Sequence, residues 1–262
     1  MFWNIFGQKK IGLVLGGGVA RGIAHIGVLK VFEQHKIPIA AIAGTSSGAI
    51  IGAAYAAGLE VRIIEEIALR ISWGKFIRVA FFRPGIITGA AIEDFLVKYI
   101  GDKQFSDLKI PLAVVATNLK TGEPEVLKQG KVAKAVAASS AFPGVFVPED
   151  IKYNFLVDGG ISNNLPVDVA RKMKTNFVVA VDVVPAKTDD ARPKDPMQVF
   201  GRSLDIVLHR LSQEQRKAAD ILIEPSFDQD VWHLDLGKAK QLIKAGEVAA
   251  QAVVNRLKRI LF

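Results

Sequence analysis

The 262-residue sequence predicts a three-layer α/β/α fold, with helices on both faces of a mainly parallel central sheet. Three observations carry that prediction. Short, wholly apolar runs recur along the chain, as buried parallel strands do. Each of the first two ends in glycine or serine and is followed by residues of helical periodicity. Half of the chain is apolar, enough to bury one large core.

The first strand is Ile11–Leu15 (IGLVL), which stops at Gly16-Gly17-Gly18 ahead of a periodic stretch over 20–34. A second strand at 39–43 meets a sharp Gly/Ser turn and a helix over 47–57. Residues 111–118 and 125–128 read as strands joined at Thr121-Gly122. A helix over 131–141 stops at Phe142-Pro143. Residues 153–157 form a strand ending at Asp158-Gly159-Gly160, and 177–183 another buried strand. The polar, proline-rich stretch 185–196 is an exposed loop. Long helices follow at 197–219 and 237–261, with a short strand at 221–224 between them. Residues 1–10 read as an N-terminal extension and 11–262 as one domain.

Composition narrows the chemistry. The chain has no cysteine, which excludes a disulfide framework, thiol catalysis and Cys-ligated zinc, and favours a reducing compartment. Its formal charge of +8 suits anionic partners such as acidic headgroups. The basic residues are scattered and carry no nucleic-acid motif, so no nucleic-acid partner is expected. No apolar run reaches the roughly 20 residues that span a bilayer, and the start is not a signal peptide. The expected location is cytoplasmic, with peripheral contact to the inner membrane face.

Gly44-Thr45-Ser46-Ser47-Gly48 fits G-x-S-x-G between a strand and a helix. That turn lifts one serine above the sheet edge, and its spacing selects Ser46 as nucleophile with Gly44 and Gly48 as the elbow glycines. A helix N-terminus beside it favours developing negative charge. Upstream, Gly16-Gly17-Gly18-Val19-Ala20-Arg21-Gly22 sits in a second strand-to-helix turn, where successive N–H groups form a nest for an oxyanion. Gly17, Gly18 and Val19 are its backbone donors, and Arg21 either braces the loop or adds positive potential. A P-loop is excluded because Gly-Lys-Ser/Thr is missing. A dinucleotide fingerprint fails because Arg21 stands where glycine is needed and no acid closes the second strand.

A serine nucleophile needs a base. Asp158 qualifies, because acids at strand C-termini of open α/β sheets face the functional crevice. A carboxylate is a weak base, with an ordinary pKa of about 3.9, so partial desolvation must help it. The order Ser46, Asp158, then His209 or His233 leaves a triad as the alternative. His25 reads as a packed or hydrogen-bonded helix residue. No metal and no cofactor are expected.

These residues resemble the bacterial patatin-like phospholipases. The matching segments are LGGGVARGIAHIGVL (15–29), GTSSG (44–48), IPLAVVATNLKTGE (110–123), AASSAFPGVFVP (137–148) and DGGISNNLPVDVA (158–170), in the family's order. The resemblance implies a Ser46–Asp158 dyad, an oxyanion hole from the glycine loop with Arg21, and phospholipids, lysophospholipids or other acyl lipids as substrates. One departure stands out: Val19 occupies the place of the family's middle glycine, and valine resists positive φ.

Residues 72–83 (SWGKFIRVAFFR) interleave Trp73, Phe76, Phe81 and Phe82 with Lys75, Arg78 and Arg83, a composition suited to an anionic lipid interface or to a cover packed on the core. Phe2, Trp3 and Phe6 would extend it. Two other functions fit the same residues: an acyltransferase using the same dyad, and a regulatory or adaptor protein that keeps the fold and is catalytically weak.

Overall fold

The computed structural model describes residues 9–71, 88–151, 153–185, 195–227 and 235–261. The stretch 72–83, the aromatic residues Phe2, Trp3 and Phe6, His233 and most of the 185–196 loop lie outside these.

Strand β1 (Ile11–Leu15) leads through a 3-10 turn (Val19–Ile23) into α1 (Ala24–Gln34), and β2 (Ala41–Thr45) leads into α2 (Ser47–Ala56). Helices α3 (Val61–Arg70) and α4 (Ala90–Ile100) precede the hairpin β3 (Leu112–Asn118) and β4 (Pro124–Leu127). Then come α5 (Val132–Ser139), β5 (Glu149–Ile151), β6 (Asn154–Asp158), α6 (Gly160–Asn163), α7 (Val167–Arg171) and β7 (Phe177–Val181). The chain continues through α8 (Pro196–Leu211), α9 (Gln213–Ala218), β8 (Ile221–Ile223) and α10 (Ala239–Leu261).

The sheet has eight strands in the order β5-β6-β3-β2-β1-β7-β8, with β4 added on β3. From β3 to β8 every pairing is parallel, whereas β4, β5 and β6 pair antiparallel. Alternate residues of each strand serve opposite layers, as a pleat requires. Ile11, Leu13 and Leu15 of β1 join the larger core with Phe32, Leu112, Val114 and Leu242. Val14, Ala43, Ala113, Val115 and Ala180 face the smaller core under α7. The three-layer expectation holds.

Several boundaries differ from the sequence reading. The helical stretch after β1 starts as a 3-10 turn, and β2 lies two residues later than expected, ending at Thr45. The helix expected over 197–219 breaks at Ser212, whose hydroxyl donates to the Leu208 carbonyl at 2.8 Å. The sequence reading has no counterpart for α3, α4 or β5. Among the described residues no helix is long and apolar enough to cross a membrane.

One feature of the register positions the site. Strand β2 lies along β3 from Leu112 to Val115, and β6 along β3 from Ala116 to Asn118. Strand β4 pairs with β3 over Val114–Thr117, overlapping both. A strand residue offers only two edges, so β2 and β6 must share the edge opposite β4. They run in opposite directions there, and their C-terminal ends meet: Thr45 is opposite Val115, and Asp158 is opposite Ala116.

Candidate active site

The junction of β2 and β6 brings together residues more than a hundred positions apart. Ser46 follows Thr45 with φ 51° and ψ −122°, outside the regions that L-residues prefer. Such a conformation costs about 1–3 kcal/mol and persists only where the surroundings impose it. The elbow glycines impose it by permitting close packing, not by taking up positive φ. A Cβ on Gly48 would sit 2.0 Å from the Leu15 carbonyl oxygen, and one on Gly44 would come within 2.9 Å of the Ala49 backbone. The strained residue is the serine itself.

Ser46 Oγ donates to Asp158 Oδ2 at 2.7 Å, and both residues are buried. Asp158 Oδ1 accepts from the Gly160 N–H at 2.8 Å, which fixes the carboxylate plane. The Asp158 carbonyl accepts from Thr117 Oγ1 at 2.8 Å. Burial pushes the Asp158 carboxyl up from 3.8 to about 6, against the bonds from Gly160 and Ser46, which lower it. A Cβ on Gly159 would lie 2.1 Å from the Val115 carbonyl oxygen, so the chain can leave β6 there only as glycine.

Ser139, at the end of α5, fills the gap between the two strand ends. Its hydroxyl accepts from the Ser46 N–H at 2.8 Å and donates to the Val115 carbonyl at 2.5 Å. Its own carbonyl accepts from the Gly159 N–H at 3.2 Å. One residue therefore ties the elbow and β3 through its hydroxyl and the aspartate turn through its carbonyl. The sequence reading quotes the segment containing Ser139 but gives the residue no role, because a serine closing an apolar helix reads as a helix end.

The glycine loop approaches from β1. Gly17 and Asn164 clasp each other: the Gly17 N–H donates to the Asn164 carbonyl, and Asn164 Nδ2 donates to the Gly17 carbonyl, both at 3.2 Å. The Gly18 N–H donates to Ser47 Oγ at 3.1 Å. Val19 takes φ +50°, the left-handed conformation that its substitution for glycine makes unfavourable. Among the described residues no acceptor bonds the Val19 N–H. Arg21 is buried, and its Nη1 donates to both carboxylate oxygens of Asp205 on α8 at 2.8 and 2.9 Å. Of the donors expected for an oxyanion, the Gly17 N–H is thus already committed to Asn164. Arg21 braces the loop against α8.

His25 Nε2 lies 2.8 Å from the Gly16 carbonyl and must be the donor there, since a carbonyl only accepts. Burial holds this imidazole down at about 4, so it is neutral and holds the loop from beneath. His35 faces Gln251 on α10, and His209 lies on α8 close enough to Asp182 to affect its charge. Neither bonds Ser46 or Asp158. Among the described residues no cluster of three His, Cys, Asp or Glu side chains suits a metal. An open groove of about 780 Å³ runs between α1, α3 and α10, beside Lys30, Glu65 and Glu247, and contains none of the site residues.

Two outcomes follow from this geometry. Ser139→Ala leaves the Ser46 N–H and the Val115 carbonyl buried without their partner, a loss of about 1–3 kcal/mol in urea unfolding. The adjacent Ser140 has a buried hydroxyl with no partner among the described residues, so Ser140→Ala is close to neutral. Equal effects of the two would contradict the bridging role.

The raised Asp158 pKa carries a definite sign. Between 3.8 and about 6 the folded protein binds more protons at this carboxyl than the unfolded chain, so stability falls as pH rises through that window. Above it the cost is constant, of order 3 kcal/mol. Asp158→Asn removes it, so the variant should be the more stable protein at pH 8, with the difference closing towards pH 4. Chemical denaturation at both pH values measures this; a less stable Asp158→Asn at pH 8 would count against the assignment.

Comparison with known proteins agrees with the fold and the motifs. The family model described as patatin-like phospholipase matches residues 13–171. Lysophospholipase nte1 of Aspergillus fumigatus is 35% identical over 202 residues, which cover 75% of this chain and 13% of that protein. Human patatin-like phospholipase domain-containing protein 6 is 36% identical over 186 residues, covering 67% of this chain and 13% of its own length. The chain thus corresponds to about an eighth of these much longer fungal and animal relatives. Among solved structures, VipD from Legionella pneumophila superposes with a TM-score of 0.57 at 14% identity, over 95% of this chain and 67% of that one. The type III effector protein ExoU does so with a TM-score of 0.53 at 13% identity, over 97% and 54%. At such identities these two speak for the fold alone. With most of the chain matched by that family model, the protein belongs to the patatin-like phospholipase family.

Proposed function

We propose that the protein is a serine acyl hydrolase acting on phospholipids, lysophospholipids or related acyl lipids through a Ser46–Asp158 dyad. The observation that carries this reading is the buried 2.7 Å bond from Ser46 Oγ to Asp158 Oδ2, at the start of a helix and beside the glycine loop. The names of the relatives point to acyl lipids as the substrate class.

In the first step Ser46 Oγ attacks the acyl carbonyl carbon while its proton passes to Asp158 Oδ2. Transfer is concerted with attack, because a carboxylate cannot deprotonate a serine outright. A carboxyl raised to about 6 by burial is a better base than an exposed one and remains ionised at neutral pH. Negative charge develops on the former carbonyl oxygen. The Val19 N–H is one donor for it, and the Ser47 N–H is a second, because the first residue of α2 has no acceptor within its helix. The Gly18 N–H, now on Ser47 Oγ, can join them. Preorganised donors of this kind commonly contribute several kcal/mol to acyl transfer. Collapse expels the alcohol part of the lipid, which takes the proton from Asp158. Water then attacks the acyl-serine, losing its proton to Asp158; collapse breaks the bond to Ser46 Oγ, which takes that proton back from Asp158, and the fatty acid leaves.

The Val19 left-handed conformation is part of this account. It turns the N–H of residue 19 away from helical pairing, so the geometry a glycine would adopt freely is here imposed on a valine. Arg21 acts through its ion pair with Asp205, holding the loop in place.

A fluorophosphonate probe tests the proposal. Mass spectrometry should find one adduct, on Ser46, absent from Ser46→Ala and strongly reduced in Asp158→Asn. Hydrolysis of a short p-nitrophenyl ester should fall by about three orders of magnitude in Ser46→Ala. Its kcat/KM should rise with pH through about 6 and then level, since the base must be ionised. His209→Ala and His233→Ala should keep most of the activity, and collapse of either would restore the triad alternative. A folded wild-type chain that neither labels nor cleaves the ester would favour the adaptor reading.

A further inference from the structure

Helix α8 is amphipathic in the reverse sense. Its buried face carries Gly201, Asp205 and Leu208, and continues to Ser212. Its outward face carries Val199, Phe200, Ile206, Val207 and Leu211, each about half exposed at 49–52%. A helix on a soluble surface ordinarily presents the opposite arrangement, with apolar residues inward. The inversion has a structural cause: Asp205 must point inward to meet Arg21 under the glycine loop, and at 100° per residue that turns Ile206 and Val207 outward.

This face is continuous with the rim of the site. Leu208 packs on Gly160, two residues beyond Asp158; a Cβ built there would lie 3.5 Å from Leu208 Cδ2. Phe200 meets Phe142 edge-on at 6.3 Å, and Phe142 lies three residues beyond Ser139. Val145, whose N–H donates to the Phe142 carbonyl, and Ile161, which follows Gly160, are also exposed and extend the apolar rim. Charge favours one occupant. Within α8 the Asp205 carboxylate is buried in its ion pair and Arg210 stands on the exposed face, while the exposed Asp195 caps the N-terminus and accepts from the Gln198 N–H; the chain carries +8 overall. An apolar helix face that carries an exposed arginine, on a chain of net positive charge, suits the headgroup region of an anionic bilayer.

We propose that the outward face of α8 docks the protein on an anionic phospholipid surface, laying the rim of the Ser46 site against the layer from which the acyl chain is drawn. This rests on the reading of Ser46 as a lipid acyl hydrolase, and it names the surface that delivers the substrate.

Binding is measured in the Ser46→Ala protein, which needs no turnover, by co-sedimentation with vesicles of phosphatidylglycerol and phosphatidylcholine in equal parts. That separates the two claims: a wild-type protein that fails to cleave the ester would sink the hydrolase reading alone, whereas vesicle binding reads the docking surface. The Ser46→Ala protein should sediment with these vesicles. Adding Ile206→Ser and Val207→Ser should weaken binding roughly tenfold or more, from the lost apolar burial. Adding Arg210→Glu instead should weaken binding to these vesicles and leave any binding to pure phosphatidylcholine unchanged. The three residues substituted on the outward face are exposed, so melting curves should stay close to that of the parent. No binding by the parent, or binding unaffected by the serine pair, overturns the proposal. So does a parent that sediments as a dimer in the ultracentrifuge and becomes monomeric with the serine pair, since the face would then be covered by a second copy of the chain.

Discussion

The site depends on two strands sharing one edge of a third. Strand β2 stops opposite Val115, β6 arrives from the other direction and stops opposite Ala116, and the two chain ends turn out of the sheet at the same level. A parallel sheet alone cannot do this, because its strands all end on the same side but each beside its own neighbour. Reversal of β6 converts two strand ends into a facing pair, and the 2.7 Å bond between Ser46 and Asp158 is the consequence. Ser139 closes the remaining gap with bonds to both turns and to β3.

Holding that arrangement is unfavourable at several points. Ser46 and Val19 are both at positive φ, and a carboxyl is buried deeply enough to shift to about 6. Each of these costs stability that a protein without such a site would not give up. The compensation comes from dense packing around the turns. Gly48 lies against the Leu15 carbonyl, Gly159 against the Val115 carbonyl, and the Gly17–Asn164 clasp and the Arg21–Asp205 pair hold the loop from two sides. The same Arg21–Asp205 pair sets the rotation of α8, so loop bracing and the apolar outward face share one cause.

Much of this was legible in the amino-acid order. The G-x-S-x-G spacing selects Ser46 over Ser47, and Asp158 stands at a strand end where a base belongs. Counting back from Gly22 puts Val19 in the place of the family's middle glycine, and its φ is +50°. What the sequence did not disclose depends on distance or direction. Nothing local announces that β6 runs antiparallel, nor that Arg21 finds a partner 184 residues away. Ser139 looks like any serine at a helix end. Helix α8 is periodic, but periodicity tells only that two faces exist, and here the usual inference about which one is buried would be wrong. The helices α3 and α4 are a different case, since Val61, Ile64 and Ala68 and then Ile92, Leu96 and Ile100 recur at helical spacing. That signal was present and is simply weaker than the motifs around it.

A crystal structure of the phosphonylated protein tests the central claim most directly, because the phosphonyl oxygen stands where the oxyanion would form. The account predicts phosphorus bonded to Ser46 Oγ, that oxygen within hydrogen-bond distance of the Val19 and Ser47 N–H groups, and the Asp158 carboxylate still beside the serine oxygen. An adduct whose oxygen faces solvent, with the glycine-loop donors turned elsewhere, would contradict it.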